Sequence, residues 1–99
     1  MTDVNTDTLI ALRQELEAVV DGVSSETYPS LVSLSSEGIE VIDDILRARV
    51  SGETEDVDFE RSLFTVVSEL NTVAVPGCPA ESNIRAAYDI VTHAYPQAA

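Results

Sequence analysis

Apolar residues return every three or four positions along this chain in four separate runs, and that periodicity narrows the fold more than any other feature. In "TDTLIALRQELEAVVDGV", Leu9, Leu12, Leu16, Val19, Val20 and Val23 fall on one stripe of a helix. Leu31, Leu34, Ile39, Ile42, Ile45, Leu46 and Val50 make a second stripe. Phe59, Leu63, Phe64, Val66, Val67, Leu70, Val73 and Ala74 make a third, and Ile84, Ala87, Tyr88, Val91 and Tyr95 a fourth. "FTVVSEL" and "TVAV" have the β-branched residues of strands, but neither alternates cleanly and neither has a hairpin partner. The spacing predicts helices over about residues 7–22, 29–50, 58–74 and 80–94.

Capping residues support the same boundaries. Thr6 or Asp7 is the expected cap of the first helix, and Asp21-Gly22 with Ser24-Ser25 is its stop. Pro29 suits a first turn, where a missing N–H is harmless. Asp58 is the expected N-cap of the third helix. "VPGCP" ends that helix and prepares the fourth, with Pro79 in its first turn and Glu81 at the positive end of its dipole. The stretch "SLVSLSSEGIE" has the weakest helix propensity of the chain while its apolar spacing continues. It predicts either a kink or a close helix crossing near Gly38. Connections this short favour antiparallel neighbours, so the expected fold is all-α, a single antiparallel up-down-up-down four-helix bundle over residues 1–99.

The charge is one-sided. Of 99 residues, 18 are acidic and 5 basic, a net charge of −13, and every basic residue is arginine. Direct binding to nucleic-acid phosphates or anionic lipid draws on clustered cations and is disfavoured; a basic partner is favoured. Adaptation to a salt-rich cytoplasm produces the same composition with no partner implied. Cys78 is the only cysteine, which excludes an internal disulfide and a zinc quartet and points to a reducing compartment. The start "MTDVNTDTLIALRQ" has no basic n-region, and no apolar run approaches the roughly 18 residues that cross a bilayer. These features predict a cytoplasmic protein.

Groups for catalysis are scarce. His93 is the only histidine, and Asp89 lies one turn before it, a base and orienter in search of a nucleophile. Cys78 sits at the far end of the same helix, about 20 Å away at 1.5 Å per residue, too far for a dyad. "DVDFERSLFTVV" starts as a calcium loop does, with Asp56, Asp58 and Glu60, but it has Arg61 and Val67 where that loop needs glycine and glutamate. Glu40, Asp43 and Asp44 cluster on the second helix, with Arg47 placed to neutralise Asp43. Neither "VSGETED" nor "VPGCPAES" is a phosphate-binding loop. The reading is a non-enzyme with no cofactor and no metal, working through a protein or peptide partner.

The tract "SGETEDVDFE" holds Glu53, Glu55, Asp56, Asp58 and Glu60 with no basic residue. It reads first as an exposed connector. The other reading makes it a partner surface, extended by Glu37, Glu40, Asp43 and Asp44, that imitates nucleic-acid phosphates or blocks a basic protein groove.

In its order of elements the chain resembles the small bacteriocin immunity proteins of the enterocin A type. The likeness is carried by "RARVSGETEDVDFER", "LFTVVSELNTVAV", the proline-marked break and "ESNIRAAYDIV", within residues 31–95. The resemblance implies a cytosolic antiparallel four-helix bundle without catalysis. It implies recognition of a complex between a bacteriocin and its sugar-transporter receptor through the C-terminal half, with Tyr88, His93, Tyr95 and the tail "PQAA" as recognition residues, Tyr88 being also a core position. An acidic inhibitor of a basic protein is the alternative. A salt-adapted assembly or regulatory subunit, homodimeric through an exposed apolar face, is the third reading.

Overall fold

A computed structural model describes residues 5–52 and 57–95. Four α-helices follow one another: α1 (Thr6–Gly22), α2 (Pro29–Ser51), α3 (Val57–Val73) and α4 (Glu81–Ala94). Each end lies within one residue of the boundary expected from the apolar spacing. α1 packs against α2 and α4, α3 packs against the same two helices, and the diagonal pairs stand apart. The chain is therefore an all-α antiparallel four-helix bundle, with one hydrophobic cluster at its centre fed by all four helices.

Leu9, Leu12, Leu16 and Val19 of α1, Leu63, Val67 and Leu70 of α3, and Ile84, Ala87 and Val91 of α4 are buried as their stripes require. α2 departs from expectation. Its buried positions are Leu31, Ser35, Gly38, Ile42, Ile45 and Ala48, so the line facing the core alternates small and large residues. The larger Leu34, Ile39 and Leu46 pack against the core from its flanks. Val50, assigned to the apolar face from its spacing, is 91% exposed, because it lies two residues, roughly 200° of helix turn, past Ala48. Val73 at the end of α3 is also 45% exposed.

The small residues let neighbouring helices come close. α2 runs unbroken through Gly38, and the close crossing expected there is realised. A methyl group on Gly38 would sit 2.7 Å from Leu16 Cδ1 and 3.7 Å from Val66 Cγ1, so α1 and α3 both press on α2 at this residue. Ser35, one turn earlier, is completely buried, and its hydroxyl has no protein hydrogen-bond partner. A buried hydroxyl in that state costs stability, typically by about 1–3 kcal/mol, so Ser35 contributes to this segment through its small size and not through a side-chain hydrogen bond.

Several helix ends differ in detail from the sequence expectation. Asn5, not Thr6 or Asp7, caps α1: its side chain accepts the Asp7 N–H at 2.8 Å. Asp58 falls inside α3, whose first residue is Val57, so it is not the N-cap; the preceding residues 53–56 lie outside the described ones. An N-cap has non-helical dihedrals and precedes the first helical residue, whereas Asp58 is the second residue of α3. Pro79 precedes α4 instead of sitting in its first turn, and Ala80 caps the helix at φ 59°, a left-handed value that favours glycine. Glu81 holds the turn by accepting the Gly77 N–H at 2.9 Å. At the end of α2 the left-handed residue is Gly52, whose N–H reaches Ala48 O and Arg49 O.

Arg85 joins the last two helices. It donates to Asn71 O at 2.7 Å, Asn71 Oδ1 at 2.8 Å and Ala74 O at 2.8 Å, and pairs with Glu81 at 3.1 Å. One guanidinium from α4 thus satisfies carbonyls that the end of α3 leaves open.

The Gly38 contact carries a mutational test. Alanine normally improves a helix interior by up to about 1 kcal/mol over glycine, whereas forcing a methyl into a filled core costs about 1–3 kcal/mol. The second effect is the larger, so Gly38→Ala is expected to lower the melting temperature, and to cost measurably less in a Leu16→Ala background. Equal costs in the two backgrounds, measured by chemical denaturation, would show that Leu16 is not what the methyl meets.

Candidate binding surface

Cross-helix polar contacts involve most of the arginines. Arg13 of α1 grips Asp43 of α2 with two hydrogen bonds, Nε to Oδ1 at 2.8 Å and Nη2 to Oδ2 at 3.2 Å, and also pairs with Glu17 on its own helix. Arg47 pairs with Asp44, and Arg49 Nη1 donates to Thr6 Oγ1 at 2.9 Å. Arg47 bonds Asp44 and acts on Asp43 only through its charge, so the expected neutralisation of Asp43 falls mainly to Arg13, which hydrogen-bonds it directly. Residues three and four apart on a helix are both within reach, and spacing along α2 does not reveal a side chain of α1 that competes for the same carboxylate.

These contacts leave an acid-rich exterior. Glu37 and Glu40 are exposed on α2, one turn apart, and no basic side chain pairs with either among the described residues. With the partly exposed Asp44 they form a row of carboxylates along the outer side of α2. Asp43 lies below the ordinary carboxylate range because the Arg13 guanidinium hydrogen-bonds its anion, against a smaller opposing effect of burial. Glu81 is lowered too, first by the Gly77 N–H and then by Arg85.

The residues singled out from sequence divide into distinct places. Glu53, Glu55 and Asp56 lie outside the described residues, so the surface they were expected to form lies outside them too. Asp58 is in the first turn of α3, and Glu60 is half-buried on the same helix. Tyr88 packs against the core from its edge. Tyr95 is 7% exposed and belongs to the core cluster, so its ring serves the bundle and is not displayed to a partner. His93 is exposed in the last turn of α4, with Nδ1 2.7 Å from Asp89 O. A carbonyl only accepts, so that nitrogen carries the proton. Cys78 is buried in the turn before α4, at the opposite end of that helix from His93. Among the described residues, no three of His, Cys, Asp and Glu converge as a metal site would require.

A second surface was not anticipated from sequence. The outer side of α3 carries an open depression of about 550 Å³ lined by Phe64, Thr65, Ser68, Glu69, Thr72 and Val73. The signal for it was present in the chain: between Arg61 and Glu81 the sole charged residue is Glu69. No helix is long and apolar enough to cross a membrane among the described residues. Comparison with protein-family models, curated proteins and solved structures finds no match to this chain.

The Arg13–Asp43 pair gives a pH test. Asp43 has a lower pKa folded than unfolded, so its contribution to stability is fully present above the unfolded carboxylate range, near pH 4, and is lost as pH falls through the lower folded value. Acidification also relieves the repulsion of a strongly acidic molecule, which opposes this effect in the absolute melting temperature. The difference between proteins isolates the pair. Asp43→Asn is expected to be less stable than the parent by up to about 1 kcal/mol at pH 7, as suits a half-exposed ion pair, and the gap is expected to close towards pH 2. A gap unchanged over that range would show that the pair contributes nothing through ionisation.

Proposed function

We propose that this chain is a non-catalytic cytoplasmic binding protein whose carboxylate surface holds a basic protein partner. One observation carries the reading: the ion pairs of Arg13, Arg47 and Arg85 are made with the molecule's own carboxylates, while Glu37 and Glu40 remain exposed and unpaired among the described residues. Such a surface attracts cations over a Debye length of about 8 Å in physiological salt, steers encounter and rejects other polyanions.

The test uses a lysine-rich peptide as the basic probe, titrated into the protein over about 50–500 mM salt. Affinity is expected to fall steeply with salt, and Glu37→Gln/Glu40→Gln is expected to weaken binding several-fold while leaving the melting temperature nearly unchanged. Salt-insensitive binding, or a variant that binds as the parent does, would overturn the reading.

The bacteriocin-immunity reading is supported by a different observation, the antiparallel four-helix architecture that the resemblance implies. Of the recognition residues it names, His93 and the edge of Tyr88 remain accessible and Tyr95 does not. Expression of the chain in bacteriocin-sensitive cells is expected to protect them. Protection that survives His93→Ala and Tyr88→Ala would remove these residues from the recognition.

A further inference from the structure

The depression on α3 differs from the rest of the exterior in having little charge. Val73 is 45% exposed, and Val75, just beyond the helix end, is 58% exposed. Thr65 and Thr72 are exposed beside them, and Phe64 presents part of its ring while packing on the core. Glu69 lies in the lining with no cation paired to it among the described residues. Ser68 Oγ is buried in the same lining and has no hydrogen-bond partner, whereas Thr72 Oγ1 is already donated to Ser68 O at 2.9 Å. The face therefore offers an apolar floor and one unmatched anion.

We propose that this face of α3 docks a cationic amphipathic segment of the partner, apolar side inward. The inference rests on the basic-partner reading and adds to it the place of contact and the chemistry of the segment. Charge complementarity selects the occupant. A second copy of this chain, net −13, would bring like charges together and, docked by the same face, leave both Glu69 side chains unneutralised, while a cationic segment neutralises Glu69 and gains long-range attraction from the rest of the molecule. An amphipathic helix laid on a helix face places apolar anchors at three and four residue steps, matching the spacing of Phe64, Ser68 and Thr72 and of Thr65, Glu69 and Val73. A lysine or arginine on its flank reaches Glu69.

Two synthetic peptides of equal length and charge separate this claim from the general one: a leucine–lysine amphipathic helix and a serine–lysine control. The full chain is expected to bind the leucine–lysine peptide about tenfold more tightly, the effect of burying one large apolar side chain. Backbone amide shifts are expected to centre on Phe64–Val73. Val73→Ser and Glu69→Gln are expected to remove most of that preference, while Val50→Ser, the same change at an exposed valine near the end of α2, leaves it intact.

Equal binding of the two peptides, or amide shifts centred on Glu37 and Glu40, would overturn α3 docking and leave the basic-partner reading standing. Failure of both peptides to bind would overturn both. Concentration-dependent dimerisation in sedimentation that Val73→Ser abolishes would make a second copy the occupant, and the proposal wrong.

Discussion

The bundle depends on how closely α1 and α3 approach α2 at Gly38. α2 is flanked by both, and its inward line of Leu31, Ser35, Gly38, Ile42, Ile45 and Ala48 is shallow enough for Leu16 to seat directly on the helix backbone. Close-packed interiors tolerate little change of volume, so the position of Leu16 sets the separation of α1 and α2 along their length. The intrinsic cost of glycine and serines in a helix is of the order of a few tenths to 1 kcal/mol per residue, small beside the burial that close approach allows. Tertiary packing thereby makes a helix of the stretch least disposed to form one alone.

Polar groups are arranged around that packing. Arg13 ties α1 to α2, Arg85 ties α4 to the end of α3, and Asn83 reaches Glu15 across α4 and α1 at 3.2 Å. These contacts lie at the rim of the core, where each ion pair is worth little alone and chiefly fixes which helix faces which neighbour. The remaining carboxylates repel one another at some cost to stability. An exterior of that kind is suited to recognition by charge, interrupted by the nearly uncharged side of α3.

Most of the fold is legible in the sequence because apolar spacing and helix punctuation agree: Leu9, Leu12, Leu16, Val19 and Val23, then Leu63, Val67, Leu70 and Ala74, then Ile84, Ala87, Val91 and Tyr95 occupy the core faces that their spacing predicts. What was not legible depended on the third dimension. The inward line of α2 was drawn through Leu34, Ile39 and Val50 because size was taken as the sign of burial, whereas a close crossing puts Ser35 and Gly38 at the centre and the large residues at the sides. Asp43 was assigned to Arg47 because only its own helix is visible in the spacing, and Arg13 lies thirty residues away. Arg85 gave no local sign of its role at the end of α3. The α3 surface is signalled by a single charge, Glu69, from Ser62 to Ala80, but the spacing of apolar positions such as Val73 marks them as core.

Native-state hydrogen exchange measures the central claim most directly. If the approach of α1 and α3 to Gly38 holds the bundle together, the amides from Ser35 to Ile42 exchange only through global unfolding, as slowly as those of Leu12 to Val19, despite the low helix propensity of the segment. Exchange of that segment by local opening, at a free energy well below that of unfolding the whole protein, would contradict the account.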